Sequence, residues 1–322
     1  MKNNYLKKTS MLIALGAFLG FSINAQPNPN QMPIPKQVPK TAPKTEQTPK
    51  MDEKKKPAPA RGRFRVVLNG FVASSQTWDN AGQWDGKDDE VYIESNVRVI
   101  DRDGRELQVP SSDRSQVMGD RNGYGYRIKA GSASDLGGIR SGDMFPSNTP
   151  WARRSAAADR DRLPMVLWEG DLIAGQNAVV IIPTIWEWDG GEDMFTGWRR
   201  TIAANGAPIA GTAVTFISGP AAGAAVAAGL QVALPAASNF LGDVIGVAGD
   251  RPIGTVKNGS DWRFDPKILA MTYEIAQNTI ANDSGKGRGI VGVEYRDAPE
   301  LRGNYTLYIQ VERLSDAPAP GE

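Results

Sequence analysis

Along most of the chain's middle and end, apolar and polar positions alternate with a period of two. Residues 63–71 (RFRVVLNGF) mix β-branched and aromatic side chains with polar ones, the pattern of a half-buried strand. Residues 90–101 (EVYIESNVRVID) repeat it, and DRDG at 101–104 is a turn signal behind them. Residues 162–168 (RLPMVLW) and 178–188 (AVVIIPTIWEW) predict two more strands, the second apolar enough at its start for a central place in a sheet. Residues 289–295 and 305–313 (YTLYIQVER) complete the set. The stretch 261–282 fits a helix or a strand pair, and 268–275 is read as strand. Many short strands separated by Gly and Asp turns, with few convincing helices, predict a mainly β fold, an antiparallel β-sandwich. The domain at 63–315 is large for one sandwich, and two insertions, at about 109–161 and 201–249, account for the excess.

The ends carry a different pattern. Lys2, Lys7 and Lys8 precede an uncharged run at 11–23, and Asn24-Ala25 closes it, so residues 1–25 read as a signal peptide. That run of 13 residues falls short of the ~20 that a membrane-spanning helix needs. The expected location is therefore secreted or periplasmic, with attachment to a surface or membrane left open. Residues 26–62 are rich in Pro, Lys, Gln and Thr and hold almost no large apolar side chains. Such a segment buries too little surface to offset the entropy of ordering, and it reads as a disordered, semi-stiff tether. Residues 316–322 read as a disordered tail.

Composition narrows the chemistry. The 322 residues include neither Cys nor His, which excludes disulfides, a thiolate nucleophile, Cys/His zinc sites and a Ser-His-Asp triad. What remains favours oxygen-ligated cations such as calcium over transition metals. The near-neutral net charge hides an asymmetry. Residues 1–62 hold 11 of the 37 Lys and Arg and 3 of the 36 Asp and Glu, leaving 26 basic against 33 acidic residues from 63 onward. An acidic body argues against a nucleic-acid ligand.

The second insertion carries no charge from 201 to 242, and Pro208, Pro220 and Pro235 interrupt it. Its cleanest helical run, 221–234, is 14 residues long, the length of a buried helix rather than a span. Gly219 with Gly223, and Ala225 with Gly229, place small residues on one helix face. The segment reads as a helical layer packed on the sandwich, with a hairpin entering or lying on a bilayer as the other possibility.

Two acidic clusters follow apolar strands: Thr77 to Glu90, with Asp79, Asp85, Asp88 and Asp89, and Trp186 to Asp193, with Glu187, Asp189, Glu192 and Asp193. Calcium takes six to eight oxygens, several of them carboxylates on loops. Here the chain resembles a C2 domain, the calcium- and phospholipid-binding β-sandwich. FRVVLNGFVAS followed by DGKDDEVYI matches that family's first strand and first acidic loop; VVIIPTIWEWDGGED, and later GDRPIGT at 249–255, match its third-loop region. The resemblance implies Asp79 or Asp85, together with Asp89, as first-loop metal ligands, and Glu187, Asp189 and either Asp193 or Asp250 as third-loop ligands. It departs at Glu187, which stands in place of Asp, at the missing Pro before Tyr92, and at some 50 residues between Asp193 and Asp250. It also implies that Trp186, Trp188 and Trp198 sit at a membrane or partner surface.

The reading is an exported, non-enzymatic, calcium-dependent binding module whose partner is a membrane lipid or a cell-surface protein. The alternatives are a structural envelope protein that binds a protein partner without metal, and a glycoside hydrolase using a carboxylate pair among Glu169, Asp171, Glu187 and Asp189. The glycines at 137, 138 and 142 lack a phosphate-loop ending and read as a turn.

Overall fold

Every stretch with a clear two-residue alternation forms a strand, and the strands assemble into sheets that are antiparallel but for one short pair. The computed structural model describes residues 58–78, 88–121, 127–157, 159–190, 193–204, 231–233 and 249–315, all within the unit Lys56–Glu322. The fold is mainly β. The expected signal peptide, the tether up to residue 57 and the tail at 316–322 lie outside the described residues.

The first sheet is built on β1 (Arg61–Ser75). Strand β15 (Asn304–Ser315) runs along its whole length on one side and is flanked in turn by β14 (Ile290–Arg296). On its other side β1 pairs first with β7 (Met165–Ile173), then with β6 (Met144–Phe145). The second sheet centres on β8 (Asn177–Glu187), paired residue for residue with β2 (Val91–Asp101). Beyond β8 lie β13 (Lys267–Met271), β9 (Gln231–Ala233) and the short β10 (Arg251–Pro252); beyond β2 lie β3 (Ser111–Arg114), β4 (Met118–Gly119) and β5 (Ile128–Lys129). A separate hairpin joins β11 (Thr255–Asn258) to β12 (Asp261–Phe264).

A single apolar cluster takes side chains from both sheets: Phe64, Val66 and Leu68 from β1, Leu307 and Ile309 from β15, Ile93 and Val97 from β2, Ile181 and Ile185 from β8. Each such side chain contributes about 1.5–3 kcal/mol on burial. The opposite face of β2 and β8 is covered too. Tyr92 and Trp186, cross-strand partners, pack against Phe195 of helix α1 (Asp193–Ala204) at 5.4 and 5.3 Å between ring centroids, and Trp198 lies 6.5 Å from Trp186. Strand β8 thus has cover on both faces, which explains its nearly unbroken apolar sequence.

Two elements differ from expectation. Residues 268–275 are not one strand: β13 stops at Met271, and α2 (Tyr273–Ala281) begins behind Thr272. The Thr272 side chain accepts from the Ile275 N–H at 3.3 Å, an N-cap that a pattern of apolar spacing does not register. The helical run at 221–234 ends in strand, since Gln231–Ala233 is β9, paired with Lys267–Leu269; the rest of that run lies outside the described residues. The turn at 101–104 is as read: Gly104 has φ 81°, and the Asp101 carboxylate accepts from the N–H groups of Asp103 and Arg105.

Candidate functional site

The two acidic segments are rooted side by side. Strand β1 ends at Ser75, and Thr77 turns back onto Asp89: its N–H donates to Asp89 Oδ2 at 2.8 Å, and its hydroxyl lies 2.9 Å from Asp89 Oδ1. The same hydroxyl makes a short contact with Glu187 Oε1, at the end of β8. The hydroxyl thus stands between two buried carboxylates, and the proton that relieves their repulsion sits on Asp89. Burial, then the charge of Glu187, pushes its carboxyl up to about 8, against the partly offsetting bonds from Tyr305 and Thr77. Tyr305, whose hydroxyl donates to Asp89, is in turn held well above the usual phenol range by burial and by Asp89.

Arg251 completes the cluster. Its guanidinium donates to Glu187 Oε2 at 2.7 Å and to Asp297 Oδ2 at 2.9 Å, and all three side chains are buried. The other Asp297 oxygen accepts from the N–H groups of Gly254 and Thr255, both at 2.8 Å. A Cβ at Gly303 would come within 2.4 Å of Asp297 Oδ2, so the chain can pass this cluster only as glycine. Asp250 closes the neck of the long insertion: it accepts from the Tyr92 hydroxyl at 2.9 Å and from the Asp189 N–H at 3.1 Å, which joins the point where the segment leaves to the point where it returns.

The structure therefore brings together Asp89 and Glu187, and separately Asp189 and Asp250. Asp79 and Asp85 lie outside the described residues, as does the side chain of Asp193, which opens α1. The described carboxylates are filled by hydroxyl and N–H donors, and the cation between Glu187 and Asp297 is a guanidinium. Among the described residues no group of three or more acidic side chains is arranged to hold a metal. The aromatic expectation also changes. Trp186 and Trp198 are core residues, 0 % and 1 % exposed, not surface contacts; Trp188 is half-buried beneath the Arg127 guanidinium, 4.0 Å from its ring. The reason is α1, which the sequence pattern did not reveal and which covers that face of the sheet.

Among the described residues the exposed tryptophan at this end is Trp78, at 49 %, with the Arg302 guanidinium 4.2 Å over its ring and its backbone N–H bonded to Leu301 O at 2.9 Å. Its signal in the sequence was its place at the start of the first acidic segment, beside no apolar strand neighbour that would bury it. The pair Glu169 and Asp171 is no acid–base couple. Glu169 bridges Arg63 at 3.0 Å and Arg65 at 2.8 Å, which lower its carboxyl below the usual range, and Asp171 pairs with Arg61 at 3.3 Å. A glycosidase acid needs the opposite shift. No described helix is long and apolar enough to cross a membrane. No protein-family model matches the chain, and no curated protein or solved structure is significantly similar to it.

Proposed function

We propose that the two sheets form a C2-like β-sandwich and that the chain is an exported, non-enzymatic module that binds a cell-surface protein without metal. The observation that carries this reading is the exposed Trp78–Arg302 stack beside the first acidic segment. Tryptophan and arginine are the side chains over-represented where interfaces gain most of their energy. Beneath them, Thr77, Asp89, Glu187, Arg251 and Asp297 lock the roots together, so that the exposed pair is presented on a rigid base. The buried charges beneath the pair are partnered: Asp89 by Thr77 and Tyr305, Glu187 by Thr77 and Arg251, and Asp297 by Arg251 and the N–H groups of Gly254 and Thr255.

The test is site-specific photocrosslinking of the full chain on cells that produce it. A benzophenone side chain at position 78 should yield a discrete crosslinked protein band, and Trp78→Ala should abolish partner capture while leaving the melting midpoint within a few degrees. The same reagent at Val109, which is 91 % exposed, supplies the background. Equal labelling from both positions, or none from position 78, would reject the reading.

A further inference from the structure

A second surface stands apart from the acidic cluster. After β6, residues 146–157 cross the outer face of the first sheet as a strap. The strap passes over β1 at Gly70, where a Cβ would come within 2.2 Å of Phe145 O and 2.9 Å of Pro150. It is pinned by a buried pair. Asn69, 0 % exposed, donates through Nδ2 to Trp151 O at 3.3 Å and to Gln310 Oε1 at 3.0 Å. Between strap and sheet lies a groove of about 530 Å³, lined by Arg65, Arg153, Arg154, Ser155, Gln310 and Glu312.

The charges in this groove do not balance. Its one carboxylate, Glu312, is committed twice: Gln310 donates to it at 2.9 Å, and Arg65 pairs with it at 3.5 Å. Arg65 is also held by Glu169 at 2.8 Å. Arg154 donates to Ser147 Oγ. Neither Arg153 nor Arg154 meets a carboxylate among the described residues, and both are exposed. The basic surface continues past the groove: the Arg153 guanidinium reaches to the side of Gly289, and Lys286 stands 3.9 Å over the Trp151 ring. Two guanidinium groups that line one groove without a carboxylate partner make it attractive to an anion, and a body with an excess of acidic residues has no general electrostatic reason to gather them here.

We infer that this groove is a phosphate-binding site, in which the guanidinium forks of Arg153 and Arg154 clasp one phosphate group and Arg65 and Lys286 flank its neighbours. Tetrahedral oxygens suit paired guanidinium forks, which donate two parallel hydrogen bonds each. The phosphate is either free polyphosphate or part of a lipid headgroup, and the experiment separates the two sources. This inference is independent of the Trp78 surface.

Tripolyphosphate is titrated into the full chain by calorimetry, and sedimentation is measured with phosphatidylglycerol and with phosphatidylcholine vesicles. The expected result is tripolyphosphate binding that weakens at least tenfold in Arg153→Glu/Arg154→Glu, while Arg105→Glu, in the turn after β2, binds as the parent does. Binding to tripolyphosphate without vesicle binding supports the site with a soluble source; binding to phosphatidylglycerol but not phosphatidylcholine vesicles, with or without tripolyphosphate binding, supports it with a headgroup. Both arginines are exposed, so the double variant should keep its melting midpoint, which circular dichroism checks. No binding in any arm, or undiminished binding by the double variant, would overturn the inference.

Discussion

Residue by residue, the most consequential group is Asp89. Its carboxyl keeps a proton up to about 8 in the folded state, whereas in the unfolded chain it releases it near 4. Between these values the native state binds more protons, so stability falls as pH rises through that window and levels above it, by up to about 1.4 kcal/mol per pH unit for one proton. Burial shifts Asp297 and Glu94 in the same direction, and the exposed Glu169 opposes them in acid. Urea unfolding across pH 5–8 should show this decline, and Asp89→Asn should reduce its slope; an unchanged slope in the variant would refute the shared-proton account. Arg251 makes a sharper prediction. Replacing it with Met leaves Glu187 and Asp297 buried without their cation, at a cost of about 3–5 kcal/mol in the same assay. Lysine should not rescue it, since one ammonium cannot reproduce the two-armed contact.

Among the elements, those with strong alternation were legible in advance: β1, β2, β8, β14 and β15 all lie where the pattern put them, within a few residues. Short strands were not. Strands β4, β5 and β6 are two residues each, too brief to show any period. The end of β13 was misread because apolar spacing continues smoothly from strand into helix, and only the Thr272 cap marks the change. Thr272→Ala should lower stability by about 0.5–2 kcal/mol through α2 alone, visible as a shift of the urea midpoint with the slope retained. Gly70→Ala acts on another element. The methyl group has no room beneath the strap, so the strap must lift, at about 1–3 kcal/mol. If the strap builds the phosphate groove, this variant should also lose affinity for tripolyphosphate, and full retention would separate the strap from the groove.

For the whole molecule, the presence of calcium should change nothing. A ligand that binds only the folded state raises its stability by mass action, so melting midpoints in calcium and in chelator should coincide; a rise of several degrees with calcium would reject the metal-independent reading. Alternation, turn residues and composition were enough to determine a mainly β body with a central apolar strand, and to exclude thiol, histidine and triad chemistry, because these depend only on local order or on which residues exist. They also located the acidic segments that meet at the candidate site. What each acid does there was decided by tertiary structure. Asp89 and Glu187 looked like metal ligands because a carboxylate's partners come from distant parts of the chain: Tyr305 is 216 residues from Asp89, and Arg251 is 64 from Glu187. Trp186 and Trp78 are alike as sequence, yet a helix covers one and leaves the other open. Burial and charge pairing are properties of neighbours in space, and no local pattern carries them.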